Sequence, residues 1–381
     1  MQGKVVFLYG NSPEPLPILM MESLRGEGVD VQLIYYDRGD ATVSLPMSGL
    51  IRPDQAMGIR WPVGEGLLQK AWNRLTVLCM FARKIRELRP DVVQAWNFDM
   101  LIAGIFGCFG RKSSKLVFSL QDTSPWMVTA WGKILQRWAY KRVNLIFVTS
   151  QGFHHAFLTR FHLVDENQAV VFLPNVPRAG TFRDFVPNQV TSSLTVGHIG
   201  LLRGEEGMKT LLGGVENARE SGADVRILFA GKGPAECLAK EAAATHDFVE
   251  YRGPYRHDEE ILSLYACVDA LYGIYDRSYD KEIHLAYRFC EAVNCRIPII
   301  VAAGTHMAAE VKRLGVGVAV PLGDANALAR ELTRLCEPEV RMSIAARCEE
   351  AREQFTFEFF EAEMSEIYQG LLKRAKSKEY S

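Results

Sequence analysis

Two arginines are the residues of this chain best placed to bind an anionic group. Arg203 lies in the glycine-rich segment 200–207, where an apolar run ends and a helix is expected to begin. Such a strand-to-helix turn offers backbone N–H groups, and together with a guanidinium it can hold a pyrophosphate. Arg288 lies three residues before Glu291, so these two side chains should be neighbours on one helix surface.

Apolar periodicity predicts the elements that position these residues. Between 281 and 293, apolar residues recur at three- and four-residue steps, which indicates a helix with one apolar face: Leu285, Phe289, Ala292 and Val293. The segment 294–296 should end that helix, and the run 299–303 is typical of a buried parallel strand. The second half of the chain continues this alternation of strands and helices. A length of 381 residues favours two domains.

Composition excludes several classes of function. The net charge of −1 gives no reason to expect nucleic-acid binding. The eight cysteines have no CxxC spacing and lie mostly in apolar segments, so we expect buried, reduced thiols in a cytoplasmic protein. The first strand is too short for a signal peptide, and no apolar run reaches the ~20 residues of a membrane helix.

The stretch around Glu291 resembles the donor-binding motif of retaining GT-B glycosyltransferases of the family 4 type. In that family a glutamate near the end of this helix binds the ribose of a nucleotide-sugar, and Glu291 matches it. The following segment 295–300, CRIPII, matches the entry into the motif strand. The family's earlier glutamate is replaced by Ile283. One branch lacks that glutamate and carries a basic residue three positions before the second, as Arg288 does here.

The resemblance covers nearly the whole chain and implies its architecture. It predicts an α/β fold of the GT-B type, with two Rossmann-like doubly wound domains facing a cleft. Residues 1–186 would form the acceptor-side domain, and residues 187–356 would bind the nucleotide-sugar. The C-terminal helix 357–381 would cross back to the N-terminal domain.

The same resemblance implies roles for individual residues. Arg203 would bind the donor diphosphate, but the family's lysine in this turn is replaced by Glu206, so Arg288 or Lys209 must supply the second cation. Asp122 stands where many relatives carry an aspartate after a histidine, and it joins Arg203 and Arg288 as a catalytic candidate. Donor binding is further expected at Gly10, Gly200, Gly231, Arg252 and His284.

The N-terminal half departs from the family at several polar positions. Gln94, Trp96 and Gln121 replace histidines that relatives usually carry. These departures keep open a second interpretation, in which the chain is a non-catalytic GT-B protein acting as partner subunit of an active enzyme. A nucleotide-sugar epimerase is a third interpretation. A dinucleotide oxidoreductase is the weakest, because no GxGxxG follows a predicted strand.

The chain lacks the motifs of metal-dependent chemistry. It contains no DxD, no HExxH and no cluster of His and Cys, so neither a metal nor another cofactor is expected. A metal-free transferase must stabilise the charge of its leaving group with arginine, lysine and helix N-termini. The resemblance implies transfer of a sugar from a nucleoside diphosphate sugar to an acceptor hydroxyl. Retention of configuration is implied by the resemblance alone.

Two predicted helices of the N-terminal half combine aromatic and basic residues. Segment 67–88 is long and amphipathic, and its expected apolar side consists of Trp72, Leu75, Leu78, Cys79, Phe81, Ala82 and Ile85. Segment 125–142 places three tryptophans among lysines and arginines. Such helices can dock on anionic lipid headgroups, although a half-buried helix with a solvated basic face would show the same pattern. We expect a cytoplasmic protein with a peripheral contact to the inner membrane face, and a lipid-linked or surface-polysaccharide glycan as acceptor.

Overall fold

A computed structural model divides the chain into two compact units, which are Met1–Asn175 with Phe360–Ser381, and Val176–Phe359. The first unit therefore ends before the boundary that the sequence suggested at residue 186. Each unit has a parallel sheet with helices, so the predicted α/β class is confirmed. The structure describes residues 3–11, 14–37, 56–60, 66–111, 113–188 and 190–377.

The first unit is built on a seven-stranded parallel sheet with the order β3-β2-β1-β4-β5-β6-β7. Its strands are β1 Lys4–Tyr9, β2 Asp30–Asp37, β3 Ala56–Arg60, β4 Val92–Trp96, β5 Lys115–Leu120, β6 Leu145–Val148 and β7 Val170–Phe172. Its helices are α1 Pro15–Gly26, α2 Leu67–Leu88, α3 Phe98–Gly107 and α4 Ala130–Tyr140. A short 3-10 helix, Pro125–Val128, precedes α4, and a π-helical turn, Phe153–Thr159, follows β6.

Strands β1 and β4 lie at the centre of this sheet. Val5 pairs with both Val31 and Val92, and every residue of β4 is buried. Parallel strands covered on both faces are nearly continuous in apolar residues, and β1 shows this in its segment VVFLY. The chain runs outward in opposite directions from β1 and β4, so the carboxyl ends of these two strands form a topological switch point, where ligands bind in such sheets.

The second unit has a six-stranded parallel sheet with the order β10-β9-β8-β11-β12-β13. Its strands are β8 Leu194–Ile199, β9 Val225–Ala230, β10 Val249–Tyr251, β11 Ala270–Gly273, β12 Ile299–Ala302 and β13 Gly317–Val320. Its helices are α5 Glu205–Glu220, α6 Glu236–Thr245, α7 His257–Tyr265, α8 Tyr279–Ile283, α9 Tyr287–Cys295, α10 His306–Leu314, α11 Ala325–Leu335 and α12 Pro338–Ala351. The switch point of this sheet lies between β8 and β11.

The last helix, α13 Phe357–Ser377, completes the core of the first unit. Tyr368 is fully buried, and its ring centroid lies 6.3 Å from that of Phe7 and 6.4 Å from that of Phe147. Ser365 and Gln369 both donate hydrogen bonds to the carboxylate of Glu27. The helix thus contacts strands β1 and β6 and the residue that follows α1.

Four sequence predictions need correction in local detail. The helix expected over 281–293 is broken, because α8 ends at Ile283 and α9 begins at Tyr287. Strand β3 was missed, because the segment 40–62 shows no strong apolar periodicity. All eight cysteines are free thiols, but Cys79 and Cys237 are exposed rather than buried. The predicted apolar side of α2 is wrong in its N-terminal half, where Trp72 and Leu75 face solvent.

None of the described helices combines the length and the apolar character that crossing a bilayer requires. Ser12 and Pro13, which belong to the loop expected after β1, and most of the segment 40–62 lie outside the described residues.

The buried ring of Tyr368 provides a test of the α13 packing. Among the described residues, no group hydrogen-bonds its hydroxyl. Tyr368→Phe should therefore leave the free energy of unfolding unchanged or raise it by up to about 1 kcal/mol. Tyr368→Ala removes the ring itself and should lower it by about 3–5 kcal/mol, measured by urea denaturation. Equal destabilisation by both variants would contradict this packing.

Candidate functional site

The switch point of the second unit brings together the turn after β8 and the loop after β11. Gly200 directly follows β8 and has a φ of 122°. A Cβ atom there would lie 2.7 Å from Nη2 of Arg288. Glycine is required at this position for two reasons, because its φ is unfavourable for other residues and because the guanidinium of Arg288 lies directly over its backbone.

Arg203 and Arg288 share one aromatic ring. The Cζ atom of Arg288 lies 5.7 Å from the centroid of Tyr275, and the Cζ atom of Arg203 lies 5.6 Å from the same centroid. A ring within about 6 Å of a guanidinium attracts it through the ring quadrupole. Tyr275 therefore contacts two positively charged side chains, one from the turn after β8 and one from α9. Sequence reasoning missed this tyrosine, which carries no motif signal of its own.

The two arginines differ in how firmly they are held. Arg288 is 8% exposed, and its Nη1 donates a hydrogen bond of 2.8 Å to the carbonyl of Tyr272. Arg203 is exposed on the loop before α5. Arg288 is thus a fixed charge inside the site. Arg203 has a long, exposed side chain that can reach a ligand from the solvent side.

His284 lies beside the same ring, between α8 and α9. Its ring centroid is 5.9 Å from that of Tyr275, and its Nδ1 is 3.1 Å from the carbonyl oxygen of Lys281. Burial, followed by the positive charge of Lys281, lowers the pKa of His284 to about 4. Arg203 acts in the same direction. His284 is therefore neutral at pH 7.

His198 lies on β8, two residues before Gly200, and is fully buried. Its ring is flanked by Phe229 at 6.1 Å and Tyr272 at 5.9 Å between centroids. Burial, and then the positive charge of Arg288, lowers the pKa of His198 well below its usual value. This residue supports the site from inside the sheet as a neutral ring.

Glu291 lies on α9 three residues after Arg288, and both residues are buried. Glu291 is 5% exposed. Tyr265 donates a 2.6 Å hydrogen bond to its Oε2, and Nε2 of His257 lies 2.8 Å from its Oε1. Both partners come from α7. No sequence pattern indicates Tyr265 or His257, because their distance from Glu291 along the chain hides the contact.

The N-terminus of α5 holds a carboxylate rather than an open anion site. The N–H of Gly207 donates a 3.0 Å hydrogen bond to Oδ1 of Asp276, which follows β11. Glu205 and Glu206 occupy the first turn of the helix. A further anion would meet three carboxylates here, so this helix end does not support the phosphate-binding role that we expected of it.

A cavity of about 730 Å³ lies at this acidic helix end, and Lys209 is on its wall. The Nζ atom of Lys209 is 3.4 Å from Glu205. Of the two residues expected to supply a second cation, the structure places Arg288, not Lys209, beside the ring that Arg203 contacts.

Two further donor-binding candidates occupy neighbouring turns of the same sheet edge. Gly231 follows β9 with a φ of 129°, and a Cβ atom there would lie 1.8 Å from the carbonyl oxygen of Gly200. The close approach of the two backbones thus demands glycine. Arg252 follows β10, and its Nε donates a 2.7 Å hydrogen bond to Glu250. Arg252 is therefore an ion-paired side chain, and the structure shows no contact between it and the arginines of the site.

The switch point of the first unit contains a separate cavity of about 390 Å³. The N–H of Gly10, after β1, donates a 3.1 Å hydrogen bond to Oδ1 of Asn97, after β4. Asn97 has a φ of 74° and a ψ of 145°, a strained conformation for a residue with a side chain. Asp122, after β5, is exposed and lines the same cavity, so the structure brings Gly10 and Asp122 together as sequence candidates.

An aromatic pair forms another wall of this cavity. Trp126 stacks on Trp131 with centroids 5.2 Å apart and an interplanar angle of 16°. Trp131 remains more than half exposed. Aromatic rings that line a polar cavity are typical of small-molecule sites.

The basic residues of α4 do not form a free cationic surface. Arg137 donates hydrogen bonds to the carbonyls of His162 and Phe161, at 2.8 and 2.9 Å. Lys133 lies over the ring of Phe161, and Arg142 over the ring of Trp138. These contacts attach α4 to its own unit, so the basic-aromatic composition of segment 125–142 is weaker support for membrane docking than we expected.

The described residues contain no group of three or more His, Cys, Asp or Glu side chains that could hold a metal ion. Arg203 and Arg288 each bring a positive charge to the ring of Tyr275.

Comparison with known proteins gives the class of the chain. Residues 19–175 match the model of Glycosyltransferase Family 4, and residues 193–338 match that of Glycosyl transferases group 1. No curated protein sequence matches the chain. The two models follow one another as the two halves of one enzyme.

Solved structures share the fold over nearly the whole chain at low identity. Sucrose-phosphate synthase from Thermosynechococcus elongatus is 15% identical with a TM-score of 0.73, covering 98% of this chain and all of that one. HepE from Anabaena, solved with UDP and glucose, is 16% identical with a TM-score of 0.72, covering 97% of this chain and 100% of that one. Trehalose 6-phosphate synthase from Burkholderia multivorans is 11% identical with a TM-score of 0.74, covering 100% and 99%.

The fold and the two matched models define a glycosyltransferase of the GT-B fold. The chain belongs to the family 4 glycosyltransferases, also called glycosyl transferases group 1, so the resemblance seen in the sequence is confirmed.

The depressed pKa of His284 predicts part of the pH dependence of stability. Between about pH 6.5 and 4 the unfolded chain protonates this histidine and the native protein does not, so stability must fall as the pH falls. From pH 7 to pH 5 the wild type should lose about 1–2 kcal/mol more than His284→Gln, measured as free energy of unfolding in urea.

His198 contributes to the same slope in both proteins, so the comparison isolates His284. Between pH 7 and pH 8 the two proteins should respond alike, which serves as the control. Parallel loss of stability in both proteins down to pH 5 would show that His284 is protonated in the native state.

Proposed function

We propose that this protein transfers a sugar from a nucleoside diphosphate sugar to a hydroxyl group of a glycan acceptor, with retention of configuration and without a bound metal. The observation that carries the proposal is the convergence of Arg203 and Arg288 on Tyr275, at the switch point of the second sheet. Two guanidiniums beside a glycine turn suit a diphosphate, which carries its negative charge on closely spaced oxygens.

The arginines would act on the leaving group. Breaking the sugar–phosphate bond leaves negative charge on the nucleoside diphosphate, and fixed cations stabilise that charge without reorganising. Arg288 is suited to this because burial weakens the screening of its charge by water. Arg203, from the exposed loop, would complete the contact when the donor binds.

The donor is proposed to be a UDP-sugar, because HepE, with the same fold, was solved with UDP and glucose. Glu291 is the candidate for the ribose. A carboxylate offers about four lone-pair positions, and Tyr265 and His257 each use one. A ribose hydroxyl would have to approach beside His257, whose side chain is 38% exposed.

Neutral His284 is proposed to face the sugar. Nδ1 donates to the carbonyl of Lys281, which leaves Nε2 of the neutral ring as the acceptor for a hydroxyl group. A neutral ring also avoids adding a third positive charge beside Arg203 and Arg288.

The acceptor is proposed to be a lipid-linked or surface-polysaccharide glycan, and the protein to act in the cytoplasm at the inner membrane face. The cavity of the first unit supports this, since it combines the Trp126–Trp131 pair with polar groups. Asp122 would orient the acceptor hydroxyl there.

A second candidate function is a non-catalytic partner subunit of an active glycosyltransferase. Glu206 in the turn where relatives carry a lysine favours it, together with the acidic end of α5. Hydrolysis of UDP-sugar by the purified protein, lost in Arg288→Ala, would exclude this candidate. If the purified protein neither hydrolyses a UDP-sugar nor transfers its sugar, the result would favour the partner-subunit function.

Removing either guanidinium tests the proposed mechanism. Arg203→Ala and Arg288→Ala should each lower kcat/KM for sugar transfer by about 10²-fold or more, since each removes a charge that stabilises the leaving group. Initial rates with a UDP-sugar donor provide the measurement. Arg226→Ala serves as control, because Arg226 is an exposed arginine on β9 of the same sheet. Unchanged transfer rates in both variants would contradict this mechanism.

The shared ring makes a separate prediction for donor affinity. Tyr275→Phe keeps the ring and should bind UDP as the wild type does. Tyr275→Leu leaves the two guanidiniums without their common partner and should weaken UDP binding about three- to tenfold, measured by calorimetric titration. Weakening by Tyr275→Phe of the same size would assign the effect to the hydroxyl group instead.

A further inference from the structure

Helix α2 carries two different faces. Its inner face carries Val77, Phe81 and Ile85, which are buried, and the helix packs against α3. The opposite face runs along Leu68, Trp72, Leu75, Cys79, Arg83 and Arg86, at successive steps of four and three residues, so these side chains form one stripe. A helix with one packed face normally shows polar residues on the other.

The N-terminal half of this stripe is apolar and strongly exposed. Leu68 is 89% exposed, Trp72 is 67% exposed and Leu75 is 53% exposed. Single exposed apolar residues are ordinary, but several on one helix face indicate an interaction surface. We call the stripe from Leu68 to Arg86 the docking face.

The C-terminal half of the docking face is basic. Arg83 and Arg86 continue the stripe, and the whole helix carries five basic residues against Glu87 alone. Glu87 lies 3.1 Å from Arg83 and 3.2 Å from Lys84, and Arg74 pairs with Asp99 of α3 at 2.7 Å, so these carboxylates offset part of the positive charge and leave a basic excess. Arg86 donates a 2.9 Å hydrogen bond to the carbonyl of Phe106, which places exposed Phe106 beside the docking face. Exposed aromatic and aliphatic side chains beside cationic ones fit the boundary between lipid headgroups and acyl chains.

The cavity of the first unit lies next to the docking face. Arg74 and Leu78 of α2 line that cavity, and Trp131 and Leu135 of α4 line it from another side. Trp131 and Ile134 of α4 are themselves exposed. Apolar residues of both helices therefore surround a cavity whose interior is polar and aromatic.

We propose that the docking face binds an anionic lipid bilayer, with Leu68, Trp72 and Leu75 inserted and Arg83 and Arg86 on the headgroups, so that the neighbouring cavity receives an acceptor anchored in that bilayer. The acceptor assignment rests on the proposed sugar transfer, whereas the docking does not. Charge decides for a bilayer over a protein partner, because basic residues of the helix outnumber the carboxylates that pair with them, and exposed apolar residues lie beside those charges.

Vesicle flotation of the full chain tests the docking directly. The vesicles consist either of phosphatidylcholine alone or of equal parts phosphatidylcholine and phosphatidylglycerol. The wild type should float with the anionic vesicles, and added salt should reduce the bound fraction because it screens the arginines. Trp72→Ser with Leu75→Ser should lower the partition coefficient at least about tenfold, since it removes the inserted apolar surface.

A matched double variant controls for general loss of surface hydrophobicity. Val186 and Met342 of the second unit are comparably exposed, and Val186→Ser with Met342→Ser should float as the wild type does. Unchanged flotation of the Trp72/Leu75 variant would overturn the proposal, as would a wild type that stays in solution with anionic vesicles. A wild-type dimer that the Trp72/Leu75 substitutions dissociate would assign the face to a second copy of the chain and would also overturn it.

Nucleotide binding separates this proposal from the proposed function. The Trp72/Leu75 variant should bind UDP as the wild type does, which also shows that it is folded, and should use a water-soluble glycan acceptor better than a vesicle-bound one. A wild type that floats but neither binds UDP nor transfers sugar would leave the docking standing and defeat the proposed function. A variant that loses flotation but keeps equal rates on both acceptors would overturn the link between docking and acceptor.

Discussion

The placement of the Arg288 guanidinium is the constraint on which the site depends. A buried positive charge is costly unless hydrogen bonds and opposite or aromatic partners surround it. Here the carbonyl of Tyr272 and the ring of Tyr275 serve this purpose, and Gly200 leaves the space above the turn. The backbone of Gly200 in turn requires glycine at position 231, because a Cβ atom there would clash with the carbonyl oxygen of Gly200. One charge thus determines residue types on three neighbouring loops.

This arrangement also explains why the acidic end of α5 does not conflict with an anionic ligand. Asp276 takes the N–H of Gly207, so the helix end is already neutralised, while the neighbouring Tyr275 turns toward the arginines. Two consecutive residues of one loop therefore have different roles. Asp276 accepts a hydrogen bond at the N-terminus of α5, and Tyr275 contacts the two arginines. Under the proposed function, a ligand with two phosphates would bind the cation pair rather than the carboxylates.

The sequence predicts the architecture well and the side-chain contacts poorly. Strand β12 and the end of α9 follow from the apolar run and from the Asn294–Arg296 break, since buried parallel strands have few alternatives. The burial of Glu291 does not follow, because it depends on Tyr265 and His257 of another helix. The exposure of Trp72 was missed for a related reason. Periodicity shows that a helix has an apolar stripe, but α2 has two such stripes. Only its packing in the folded unit, mainly against α3, decides which stripe is buried.

The account is tested most directly by calorimetric titration of the wild-type protein with UDP and with uridine. If Arg203 and Arg288 bind the diphosphate, UDP should bind at least about tenfold more tightly than uridine. The reason is that charge-assisted hydrogen bonds contribute roughly 1.5–3 kcal/mol each. The difference should shrink as salt is added. Equal affinity for the two compounds, or no binding of UDP, would contradict the claim that this pair of arginines forms the donor site.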